Sequence, residues 1–280
     1  MTESEQRKFA VKLFRDIPEL VAVVKDESNC YESIIKVASK YREKILAKGT
    51  DSWPSAWAYF WARKFPEDRN TMRPLITDSE YAYLWARDIG DRDIMRPLIT
   101  DSEYAYRWAL EFPSDRDIMR PLVTTSADAY RWARKFPEDA DTMRPLITDS
   151  YYAYLWALEF PSDRDTIRPL VTGSRYAYYW ALDIGDADIM RPLVTDSRYA
   201  YCWARKFPED TDTMRPLVTD SRYAYYWARD IGDADTMRPL ITTSSDAYFW
   251  ALEFPSDRDI MRPLITEEPW KIYFRDLAPL

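Results

Sequence analysis

A tryptophan recurs every 23 or 24 residues from Trp61 to Trp250, and no other feature constrains the fold of this 280-residue chain as strongly. The nine positions are Trp61, Trp85, Trp108, Trp132, Trp156, Trp180, Trp203, Trp227 and Trp250, each inside a unit such as TDSEYAYRWALEFPSDRDIMRPLVT. Units with Phe-Pro after the Trp, as at Phe112-Pro113, are one residue longer than those with Ile-Gly, at Ile89-Gly90, Ile184-Gly185 and Ile231-Gly232. Trp61, Trp132 and Trp203 lie 71 residues apart and each opens the string WARKFPED, so the array reads as three copies of a three-unit block. A period of this length means a stack of small supersecondary units, none of which buries its apolar face alone.

Each unit has room for two short helices. The first is predicted from Ser79 to about Ile89, with Thr77, Asp78 and Ser79 as cap-type residues and Gly90, or Pro113 in the longer units, as the stop. At 100° per residue the Trp, the Ala three before it, the Ala one after it and the Phe or Ile four after it share one face. These positions hardly change among the units. The residues five before the Trp (Ala56, Glu80, Glu103, Ala127, Tyr151, Arg175, Arg198, Arg222, Ser245) and one before it change freely and fall on the opposite face, as a helix requires. In the second half, DRDIMRPLIT, Asp93 is read as a cap so that Pro97 falls in the first turn, where a missing N–H costs little. The segment is then about two turns long, with Met95, Leu98 and Ile99 facing inward.

The expected fold is therefore all-α: an α-solenoid of nine two-helix repeats over 51–266. A helical N-terminal cap occupies 1–50, with amphipathic spacing over 7–14 and 30–48, and a short C-terminal cap occupies 267–280.

Composition narrows the function. The chain has no His, which excludes Ser-His-Asp and Cys-His nucleophiles and His-ligated metals. Cys30 and Cys202 lie in unrelated contexts, and five glycines form no phosphate-binding loop. No catalytic residue, metal site or cofactor is expected. No stretch approaches a membrane helix, and the charged MTESEQRKF start is unlike a secretory signal, so a soluble, cytoplasmic protein is expected. The net charge of −8 divides into +2 for residues 1–50 and −10 for 51–280, which makes nucleic acid an unfavourable partner.

At [DE]-x-x-Y-A-Y-x-W-A, followed by acidic residues and R-P-L-I, the sequence resembles the tandem YAYxYA-type two-helix repeats of uncharacterised bacteriophage and bacterial proteins, and more distantly short helical-pair solenoids. The resemblance covers about residues 51–266, with Trp where that pattern often has Tyr. It implies an α-solenoid and brings no activity.

Three recurring polar groups are candidates for chemistry. The D-x-D pairs, such as Asp91/Asp93 and Asp115/Asp117, read as caps of the second helix rather than a cation site, because further oxygen ligands are missing. The Arg of each R-P-L (Arg73, Arg96, Arg120, Arg144, Arg168, Arg191, Arg215, Arg238, Arg262) reads as paired with neighbouring Asp; unpaired, the row would bind an anion. The Tyr two before each Trp borders the buried face and reads as core with a rim hydroxyl, or as an aromatic track. The candidate binding surface is Arg175, Arg198 and Arg222 with Tyr83, Tyr106, Tyr154, Tyr178, Tyr201 and Tyr225. A fixed frame displaying variable outward residues suggests a non-enzymatic scaffold that binds another macromolecule, most of all a protein, with self-association of arrays as a further option. The alternatives are a sequestering protein for small anions such as nucleotides, and an acidic phage-type inhibitor of a host protein.

Overall fold

The computed structural model describes residues 3–26 and 31–275, and every helix or strand assigned among them is a helix. The chain divides into two compact units, Met1–Leu146 and Ile147–Leu280, the division falling at the end of the fourth repeat. None of the helices is long and apolar enough to cross a membrane.

In the first unit, helices Glu3–Leu13, Pro18–Lys25, Tyr31–Ala38 and Arg42–Leu46 precede the repeats. The periodicity does not foresee Pro18–Lys25, which opens on a proline whose fixed φ suits a first helical position. Phe14 packs edge-on against Trp57 at 5.5 Å, fastening this cap to the first repeat. Gly49 ends the cap at φ +85°, in the left-handed region that glycine adopts without cost.

The long helices of the repeats are Ser55–Lys64, Ser79–Asp88, Ser102–Glu111 and Ser126–Lys135 in the first unit. In the second they are Ser150–Glu159, Ser174–Asp183, Ser197–Lys206, Ser221–Asp230 and Ser244–Glu253. Within each unit successive long helices pack side by side, the regular arrangement of an all-α solenoid. Seven of these nine starts follow the cap chemistry, as where the Asp78 carboxylate accepts the Tyr81 N–H at 3.0 Å, whereas Pro54 and Gly173 precede the other two and offer no side-chain cap. All nine repeat tryptophans are fully buried, and the alanines three before and one after each Trp are buried with them. Small side chains there let neighbouring helices close onto the indole. The Phe or Ile four after the Trp is only half-buried in most repeats.

The second half is tighter than its periodicity suggests. Asp93 lies inside a single α turn, Arg92–Met95, and a 3-10 turn, Arg96–Leu98, follows. A proline cannot donate to an α ladder and its ring crowds the carbonyl four back, so the chain tightens at Pro97 instead of making a second α turn. Met95 and Ile99 are buried as expected, but Leu98 is only half-buried.

The length difference between units also has a structural cause. Phe-Pro repeats bridge the two halves with a 3-10 turn such as Pro113–Asp115. Ile-Gly repeats do it with two consecutive positive-φ residues, Gly90 at +115° and Asp91 at +59°, which saves one residue. Asp is among the few side chains that enter the left-handed region readily.

At the far end, helix Trp270–Arg275 sets Trp270 5.4 Å from Tyr248 and 5.3 Å from Phe249, where the rings of a further repeat would otherwise pack. Residues 276–280 of the expected C-terminal cap lie outside the described residues.

Candidate binding surface

Two rows of arginine run through the repeats, and they differ in what surrounds them. The first is the Arg of R-P-L. Arg120 donates to Asp117 within its own repeat at 2.9 Å and to Asp139 of the next repeat at 2.9 Å. Arg96 does the same with Asp93 and Asp115, and Arg238 with Asp235 and Asp257. The row is thus occupied by an internal ladder of carboxylates, and does not stand as nine open guanidinium groups for an anion.

The ladder also corrects the reading of the D-x-D pairs. The first Asp sits at the N-cap position but makes no cap bond with its side chain. Its carboxylate turns inward to the indole instead: Asp115 accepts Trp108 Nε1–H at 2.9 Å and Arg92 Nε–H at 2.7 Å. The Trp-to-Asp bond recurs in every repeat but the eighth, at 2.7 to 3.3 Å. A buried indole N–H needs an acceptor, and a buried carboxylate needs donors, so each satisfies the other. The Arg92 guanidinium, with the Trp108 N–H adding to it, holds the Asp115 carboxyl below the usual carboxylate range despite burial. The second Asp is exposed and pairs only with the Arg three residues on. Among the described residues no cluster of His, Cys, Asp and Glu is arranged to hold a metal.

The N-terminal cap joins this scheme through a residue that sequence reasoning passed over. Arg42 donates Nε–H to Asp68 at 2.8 Å and lies over the Phe65 ring at 5.6 Å. Arg92 holds the same relation to Asp115 and Phe112. Arg42 therefore supplies the first repeat with the contacts that a preceding repeat supplies to the third.

The second arginine row lies on the long helices of repeats six to eight. Arg175, Arg198 and Arg222 are exposed, and none has a carboxylate partner among the described residues. Arg175 lies over Tyr176 at 5.4 Å and Arg198 over Tyr199 at 5.5 Å, so these cations are steadied by ring faces. Around them the second unit carries two runs of ring contacts, one through Tyr154, Tyr176, Tyr178, Tyr179 and Tyr199 and one through Tyr201, Tyr223, Tyr225, Tyr226 and Phe249. Tyr154 meets Tyr176 at 6.2 Å and Tyr179 at 6.1 Å, Tyr178 meets Tyr199 at 5.9 Å, Tyr201 meets Tyr226 at 5.9 Å, and Tyr225 meets Phe249 at 6.2 Å. Arg205 and Arg229 lie over Tyr201 and Tyr225, each at 5.5 Å. No known protein family, curated protein or solved structure matches this chain. The surface is therefore judged on its own chemistry: aromatic floor, unpaired guanidinium rim.

The tyrosines expected to line it divide. Tyr83, Tyr201 and Tyr225 are 8%, 7% and 9% exposed and serve as core, whereas Tyr106, Tyr154 and Tyr178 are half-buried. The rings that reach solvent most are others, such as Tyr151 at 44% and Phe249 at 40%. Three of the rim hydroxyls are also spoken for. Tyr59, Tyr154 and Tyr201 each donate to an Asp three residues after the next repeat's Trp, namely Asp88, Asp183 and Asp230, with Tyr154 to Asp183 at 2.5 Å. That Asp occurs only in the Ile-Gly repeats; Phe-Pro repeats carry Lys or Glu there. The pairing was legible in the sequence as a covariation with unit length.

Burial, and then the acceptor Asp, push the Tyr59 and Tyr154 hydroxyls up to about 12. An unfolded phenol titrates near 10, so the stability these groups contribute is complete below pH ~10 and is lost as pH rises through ~12. Replacing both by Phe is expected to flatten the pH dependence of alkaline unfolding, followed by far-UV circular dichroism alongside phenolate absorbance. An unchanged slope would refute the linkage.

Cys202 is half-buried beside Arg198 and Arg205, and burial pushes its thiol up, which argues against a reactive thiolate. Cys30 lies outside the described residues.

Proposed function

We propose that this protein is a non-enzymatic helical-repeat scaffold that binds another protein through the long-helix face of repeats six to eight. The observation that carries this reading is the contrast between the two arginine rows. Every arginine of the R-P-L row is paired with an Asp; Arg175, Arg198 and Arg222 have no carboxylate partner among the described residues, yet recur at one position of three successive helices. The long helices of these repeats carry Arg175, Arg198, Arg205, Lys206, Arg222 and Arg229 against Asp183 and Asp230. The excess charge of the chain as a whole is negative, but this face is positive, and it complements an acidic partner surface with apolar content. Guanidinium groups on aromatic rings are frequent anchors of protein interfaces, since each buries area at modest entropic cost.

Calorimetric titration with a poly-glutamate peptide tests the polarity of the face. Binding should weaken steeply with added salt and fall at least about tenfold in R175A/R198A/R222A, a loss of roughly 1.4 kcal/mol or more. Equal binding by the variant would overturn the assignment, and tighter binding of a single-stranded oligonucleotide than of the peptide would redirect it to nucleic acid.

A further inference from the structure

The row that carries Arg175, Arg198 and Arg222 in the second unit carries the opposite charge in the first. Five residues before the Trp, repeats two and three place Glu80 and Glu103, and repeats seven and eight place Arg198 and Arg222. We propose that the acidic partner of this face is a second copy of the chain, its first unit lying against the second unit of its neighbour. This rests on the protein-binding reading above and names the occupant of the same surface.

The register follows from the repeats. If the long helices of the two copies run parallel and the repeat order runs opposite, repeat two meets repeat eight and repeat three meets repeat seven. Glu80 then faces Arg222 of the second copy and Glu103 faces its Arg198. Repeat four meets repeat six in the same register, and there Arg131, one residue before its Trp, comes over the half-buried Tyr179 of the second copy, a cation on a ring face. Two neighbouring juxtapositions are of like charge, Arg87 with Arg229 and Asp88 with Asp230. Each of those guanidinium groups is already held by its own neighbour, Asp88 at 2.7 Å and Asp230 at 2.6 Å, so little unpaired charge remains.

The acidic side has reason to accept a partner. Burial, together with Asp78 nearby, pushes the Glu80 carboxyl up, so an incoming guanidinium relieves an existing cost. Glu103 has only an exposed contact with Arg107, four residues on, and such pairs hold weakly enough to be exchanged.

Charge exchange tests the proposal. Sedimentation velocity of the native chain at low ionic strength should show species above monomer mass that dissociate as salt is raised. E80R/E103R and R198E/R222E, each folded by circular dichroism, should both be monomeric, with association weakened at least about a hundredfold. Mixed together, the two variants should associate again, because each then offers the charge the other lacks. A native chain that stays monomeric, or variants that associate as the native chain does, would overturn the proposal. A monomeric native chain that still binds poly-glutamate through Arg175, Arg198 and Arg222 would leave the scaffold reading standing and remove only the second copy as its occupant.

Discussion

Trp108→Ala is expected to lower the stability of the first unit by about 3–5 kcal/mol, the range for deleting a buried large aromatic. The indole is fully buried, and its neighbours on one face are alanines, Ala105 and Ala109, which have no rotamers with which to fill the void. The cavity therefore stays open. The same change also removes a donor from the buried Asp115 carboxylate, which the cavity term alone does not count. Each short repeat helix is too brief to persist without its neighbours, so the damage should spread through the interfaces that repeat three makes. Denaturant unfolding followed by far-UV circular dichroism, with hydrogen exchange to locate the loss, provides the check. A cost below about 1 kcal/mol would mean that the indole is not the centre of the repeat core. Trp108→Phe separates the two contributions, since it keeps most of the volume and loses the N–H.

How far the sequence reaches is clearest in the same repeat. The helix expected from Ser79 to about Ile89 runs Ser79–Asp88 and is capped by Asp78, because caps and a 3.6-residue period are local signals. The inward tryptophans and alanines follow from that period too. The fate of Asp115 does not, since one of the groups that hold it is Arg92, 23 residues earlier in the preceding repeat. From local pattern an Asp before a short helix is a cap; from the assembled interface it is an acceptor for an indole and two guanidinium groups. The pitch of the second half was missed for a different reason. Counting turns placed Pro97 safely in a first turn, but the backbone answered the missing N–H by tightening into a 3-10 turn. On the candidate surface, Arg175, Arg198 and Arg222 were visible as variable outward residues, and what sets them apart from the R-P-L arginines, the lack of a carboxylate, became visible only once both rows could be seen with their neighbours.

The second large effect concerns that carboxylate. Asp115→Ala is expected to cost about 2–4 kcal/mol, somewhat below the cost of breaking a fully buried pair, because Arg92 and Arg96 remain about one-third exposed and can recover part of their hydration. The indole N–H of Trp108 has no such recourse. Asp117→Ala, two residues away in the same motif, is the control: its carboxylate is 80% exposed and pairs only with Arg120, so its loss should cost less than about 0.5 kcal/mol. Acid adds a second readout. The folded Asp115 carboxyl titrates below its unfolded value, so its contribution is present above the ordinary carboxylate pKa and disappears as pH falls through the folded one. Asp115→Ala should therefore lose less stability on acidification than the native chain. A double-mutant cycle with Trp108→Phe completes the argument: a coupling of about 0.5–3 kcal/mol places the indole and carboxylate in one unit, whereas strict additivity would show that the bond between them contributes nothing to holding successive repeats together.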